Sequence, residues 1–137
     1  MKIQSSNEYS KLRSVIVGTA NNANWPSTDP EFRKMEETTR WKNSPVPSGP
    51  VEQSIIEQTE MELETMCNQL VAHGVEVYRP WTMDYQAFDG MYGYCPRDRL
   101  LIIDDKIILS STFSDLCTIS PSFSRIFAST PCTWALF

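Results

Sequence analysis

Leu70-Val71-Ala72-His73-Gly74-Val75-Glu76-Val77-Tyr78 changes period at its centre, and the fold reads outward from that change. Ahead of Gly74, the apolar residues Val51, Ile55, Ile56, Leu63, Met66, Leu70 and Val71 recur at three- and four-residue steps. That spacing predicts a helix over about 51–73 with a single apolar face. Ser48-Gly49-Pro50 supplies its start, and Gly74 fits the left-handed position just past its end. Glu57, Glu60, Glu62 and Glu64 read as a solvated acidic surface on the opposite face. Behind Gly74, Val75-Glu76-Val77-Tyr78 alternates and stops at Arg79-Pro80, which predicts a strand following the helix directly.

Upstream, Leu12-Arg13-Ser14-Val15-Ile16-Val17 is a short β-branched run closed by Gly18, the pattern of a buried strand. Strand, long connection, helix, strand predicts a crossover that pairs the two strands in parallel. The connection over 19–50 is loop-like and rich in Asn and Pro, with a short helical turn expected around 31–40, because Asp29-Pro30-Glu31 has an N-cap residue followed by proline. Downstream, Leu100-Leu101-Ile102-Ile103 and Ile107-Ile108-Leu109 flank Asp104-Asp105-Lys106, which predicts a tight hairpin between well-buried strands. The fold class expected is α/β. Residues 112–137 carry only Asp115 and Arg125 as charges and fit neither the helical nor the strand template. They read either as an out-of-frame or disordered tail or as a stretch hiding a genuine strand or helix.

At 137 residues the chain is sized for one domain. Its net charge of −5 leaves no basic surplus for neutralising phosphates, which argues against a nucleic-acid partner and a polybasic membrane anchor. No run approaches the ~20 apolar residues of a membrane span. The first residues lack the apolar core of a secretory signal, so the expectation is a cytoplasmic protein with reduced thiols. Cys67, Cys95, Cys117 and Cys132 form no C-x-x-C pair, and His73 alone could add an imidazole, so neither a metal site nor a cofactor is expected.

Two stretches carry a resemblance. Asn7-Glu8-Tyr9-Ser10-Lys11-Leu12-Arg13-Ser14-Val15-Ile16-Val17-Gly18 resembles the opening strand of the glycine and inosamine-phosphate amidinotransferases. Tyr94-Cys95-Pro96-Arg97-Asp98-Arg99-Leu100-Leu101-Ile102-Ile103 resembles the same family's Pro-Arg-Asp motif leading into a hydrophobic strand. Pro-Arg-Asp alone is a weak tripeptide; its order behind the opening strand, helix and second strand makes it more specific. The resemblance covers about 3–111, and it implies a partial pentein fold, an α/β propeller, of which residues 1–111 would supply about one ββαβ-type module with a long helix and a hairpin.

The resemblance further implies transfer of an amidino group from arginine to an amine acceptor such as glycine or an inosamine phosphate. It places substrate binding at Asp98, with Arg97 beside it. A planar guanidinium donates a fork of N–H bonds that a carboxylate accepts in pairs, so the residue type suits the role. By its residues alone, Asp98 reads rather as a turn residue or a partner of Arg97 or Arg99, and the family motif reverses that reading. The family's nucleophilic cysteine and proton-shuttling histidine lie far downstream of Pro-Arg-Asp, so no catalytic residue is assigned here and the chain is expected to be inactive alone. His73 reads as a helix-end cap, and Cys95 as a poor nucleophile, because a neighbouring carboxylate raises a thiol pKa. Two other readings stay open: a fragment of arginine deiminase or dimethylarginine hydrolase type, and a non-catalytic binding module using Trp25, Trp41, Trp81, Tyr85, Phe88 and Tyr92. Unpaired strand edges in a lone module would favour self-association.

Overall fold

A computed structural model describes residues 5, 7, 9–93, 95–96, 100–109 and 134–136, with the side chains of 107, 109 and 134–136 outside the description. The architecture is mixed α/β, with three small sheets and two α-helices among the described residues. Strands β1 (Ser14–Ile16) and β4 (Glu76–Tyr78) pair in parallel, Val15 opposite Val77, as the crossover pattern requires. Val17 N–H donates to the Tyr78 carbonyl and Glu76 N–H to that of Arg13, extending the ladder at both ends.

Helix α2 (Gln53–Ala72) fills the connection ahead of β4. Its end is a Schellman motif: Gly74 N–H reaches the Val71 carbonyl, Val75 N–H reaches that of Leu70, and Gly74 holds φ +76°. The accompanying apolar contact is present, since Val75 and Leu70 share the main core with Val15, Val17, Cys67, Leu12, Leu63, Met66 and Val77. The stripe that α2 turns inward thus runs Ile56, Leu63, Cys67, Leu70, with Ile56 and Cys67 buried and Leu63 and Leu70 half-buried, whereas Ile55 and Val71, expected on the apolar face, are exposed. They sit one step off the stripe, where 100° of rotation turns them toward solvent.

The 19–50 connection is more ordered than a loop. Its neck is closed by β2 (Asn24–Trp25) pairing antiparallel with β3 (Gly49–Pro50), reinforced by Val51 N–H on the Ala23 carbonyl. Inside the excursion lies α1 (Pro30–Thr38), with Asp29 as N-cap accepting from the N–H groups of Glu31 and Phe32. Arg33 fastens the excursion onto itself by donating to the carbonyls of Pro26, Val46 and Pro47 at 3.1–3.3 Å. A guanidinium has enough donors to serve three carbonyls at once, which a lysine ammonium would do with less fixed geometry. Phe32 packs with Met91, Trp25 and Tyr92 in a second, smaller core.

The hairpin forms as β5 (Leu100–Ile103) against β6 (Lys106–Leu109), with Asp104 at φ +51° in the two-residue turn. The expectation of well-buried strands fails on one face. Leu100 is buried, but Leu101, Ile103 and Ile108 are 53%, 48% and 45% exposed. Leu101 stands opposite Ile108 in the register, so these side chains form one uncovered patch on a two-stranded sheet.

Of residues 112–137, the described ones form β7 (Trp134–Leu136), which pairs in parallel with β1 on the side opposite β4. That leaves β1 as the central strand, and Ser14, Val15 and Ile16 have no exposed surface. Among the described residues, no helix is long and apolar enough to cross a membrane.

Candidate functional site

Asp98 and Arg97, the residues to which substrate binding was assigned, lie outside the described residues. Of the residues around them, Cys95, Pro96 and Leu100 are described. Pro96 is buried and Cys95 half-buried on one side, and Leu100 is buried where β5 begins on the other.

The chain leading into Pro96 runs beside the segment that leaves β1. Thr19 N–H donates to the Gly93 carbonyl at 3.2 Å, Asn24 N–H to that of Met91 at 2.7 Å, and Asn24 Nδ2 to that of Gly90 at 2.9 Å. Asn22 Nδ2 reaches the Met83 carbonyl at 2.8 Å. Gly93 is needed for close approach, because a Cβ there would lie 2.3 Å from the hydroxyl oxygen of buried Tyr85.

Asp89 ties the two segments a second time. Its carboxylate accepts from the N–H and hydroxyl of both Ser27 and Thr28, at 2.5–3.1 Å. Partial burial works to raise its pKa, but the hydroxyl and N–H bonds from Thr28 and Ser27 outweigh that and hold it at about 2.

A third tie comes from α2. Glu60 accepts from the Thr19 hydroxyl at 2.8 Å and from Ala20 N–H, while its other oxygen pairs with Arg79 at 2.7 Å. Arg79 also approaches Glu64 at 3.4 Å and donates to Cys67 Sγ at 3.6 Å. Burial tends to raise the Glu60 pKa, yet the bonds from Thr19 and Ala20 and the Arg79 charge bring it below the ordinary value. Glu60 therefore leaves the solvated acidic surface expected of it and pins the Gly18–Ala20 turn to the helix and to the end of β4. The signal was in the sequence: 56, 60, 63, 67, 70 is an unbroken heptad-like stripe with one carboxylate inside it.

His73 is the C-cap residue of α2 and is exposed, in keeping with the capping reading. Cys67 is a free thiol buried in the main core and Cys95 is half-buried; Cys117 and Cys132 lie outside the described residues. Among the described residues, no group of three His, Cys, Asp or Glu side chains is placed to hold a metal ion. Of the aromatics read as a surface, Tyr85 is buried, and Trp25, Trp41 and Tyr92 are half-buried, with Trp25 and Trp41 edge to face at 6.2 Å. Trp81 and Phe88 alone among those six are exposed.

Comparison with known proteins gives a consistent result. Inosamine-phosphate amidinotransferase 1 of Streptomyces glaucescens is 34% identical over 113 residues, covering 76% of this chain and 32% of that protein. The mitochondrial glycine amidinotransferase of Xenopus tropicalis is 36% identical over 115 residues, covering 76% and 27%. The solved inosamine-phosphate amidinotransferase StrB1 of Streptomyces griseus superposes with TM-score 0.78 at 29% identity, over 96% of this chain and 42% of that one. SxtG, an amidinotransferase from Microseira wollei in the saxitoxin biosynthetic pathway, superposes with TM-score 0.69 at 25% identity. No family model matches the chain. The chain spans about a third of the length of the curated relatives it matches.

Proposed function

We propose that this chain, which belongs with the inosamine-phosphate and glycine amidinotransferases over about three-quarters of its length, supplies part of the arginine-binding half of such an enzyme and binds guanidinium without completing the transfer. The observation that carries the reading is that similarity, shared by relatives with two different acceptors. In this reading both acceptor classes share arginine as donor, so the donor side is where a shared segment belongs. In this reading Asp98 accepts two N–H bonds of the guanidinium, and Arg97 takes the negative end of the same substrate. The fold is read as one module of a pentein-type propeller, with β4-β1-β7 and α2 as its sheet and helix and β5–β6 opening the next; the likeness to the solved amidinotransferases supports it.

Transfer itself needs a thiolate to attack the guanidinium carbon and a base to move protons to the departing amine. Among the described residues, Cys67 is packed in the core, and His73 precedes the start of β4, at the opposite end of the β1–β4 ladder from the Thr19–Gly93 bond. The 137-residue chain incubated with arginine and glycine, or with an amino-cyclitol phosphate, is expected to release no ornithine above a heat-killed control. Ornithine released in proportion to protein concentration contradicts the reading.

A further inference from the structure

We infer that α1 is a hinged flap over the 89–92 segment, tied down at its start and kept from closing tightly by the buried carboxylate of Glu36. Phe32 and Glu36 are the buried residues of this helix, 7% and 3% exposed and one turn apart on the same face. Phe32 packs on Met91, itself 9% exposed, with Trp25 and Tyr92 beside it. The hinge lies ahead of the N-cap, where Ser27 and Thr28 donate to Asp89, two residues before Met91. Arg33 bonds the helix to both limbs of its excursion, at Pro26 and at Val46 and Pro47, so the helix and its limbs move together.

The closed form carries its own opposition. Glu36 Oε2 is buried without a hydrogen-bond partner among the described residues, and so is the indole Nε1 of Trp41. Trp41 belongs to the same end of the helix, because its backbone N–H donates to the Glu36 carbonyl at 2.9 Å. A carboxylate buried in the last turn of a helix also meets the negative end of the macrodipole, and no basic residue lies in that turn to offset it. Leaving a buried charged oxygen unbonded costs about as much as burying one phenylalanine side chain gains, so closure on Met91 is close to balanced. Lifting the Glu36 end gives the carboxylate to water and uncovers Met91, while the Asp89 bonds and the Asp29 cap keep the start of the helix in place. Access to the 89–92 segment is thereby gated.

The test reads how fast hydrogen peroxide converts Met91 to its sulfoxide in the folded 137-residue chain, by peptide mass spectrometry, because a thioether packed under a helix reacts only when uncovered. Met61, 65% exposed on α2, is the internal standard. Glu36→Leu replaces the buried charge by an apolar side chain and is expected to slow Met91 oxidation roughly tenfold relative to Met61. Glu36→Gln keeps the shape without the charge. It is expected to act in the same direction by a smaller factor, and it serves if the leucine variant fails to fold. Asp89→Ala cuts the hinge and is expected to speed the reaction. Met91 oxidation as fast as in the wild type, or faster, in the folded Glu36 variants overturns the inference, as does an unchanged rate in Asp89→Ala.

Discussion

Glu60 and Asp89 are two carboxylates with different surroundings, and each makes a residue-scale prediction. Glu60→Ala removes acceptors from Thr19 and Ala20 and the close partner of Arg79, and should lower stability by about 2 kcal/mol in urea unfolding. Its pKa is depressed in the fold, so its contribution is present above the unfolded carboxylate value and is lost as pH falls through the folded one. Glu60→Gln should flatten that acid limb of the stability curve. Asp89 behaves in the same sense over a wider window: its contribution is complete above 3.8 and disappears as pH approaches about 2. The amide resonances of Ser27 and Thr28 should titrate with that low midpoint; a midpoint at the ordinary Asp value would show that the tie is not made in solution. Legibility at this scale was uneven. The Asp29 N-cap and the Gly74 stop were readable because local backbone geometry selects those residue types. Asn24 and Asp89 were not, because their partners are distant in sequence, and Arg33 was not, because no local period marks a guanidinium that serves carbonyls within its own loop.

Elements were legible where a period ran long enough. Twenty residues of α2 and the change at Gly74 fixed helix, stop and parallel strand together. Gly74→Ala tests this junction. A methyl group there meets open space, so the cost is that of the left-handed backbone alone, about 1–2 kcal/mol. Thermal unfolding reads it, and an unchanged midpoint would mean that the helix ends elsewhere in solution. The 19–50 excursion was harder to read, since β2 and β3 have two residues each and carry no alternation. Its order comes from the Arg33 carbonyl cluster, the Asp29 cap and the neck, all of which are polar contacts rather than an apolar pattern. The hairpin was found from its sequence, but its burial was misjudged. An apolar run on both faces announces that both faces want cover, and one face of β5–β6 lacks it here.

At the scale of the whole molecule, that uncovered face carries a prediction about behaviour in solution. Leu101, Ile103 and Ile108 side by side on a two-stranded sheet should drive association that grows with concentration. Leu101→Lys with Ile108→Lys should leave a monomer by light scattering, with far-ultraviolet circular dichroism retained. Association that persists in the double variant would place the contact on another surface. The chain spans between about a quarter and a third of the length of the amidinotransferases it matches. The motif at 96–98 was legible as a resemblance, and the surroundings of the residues beside it became visible only with the fold. The most direct test of the central claim is an arginine titration of the labelled chain beside Asp98→Asn. The account predicts saturable shifts at Arg97 and Asp98 that are absent in the variant. Shifts of equal size and affinity in both proteins, or none in either, would contradict it.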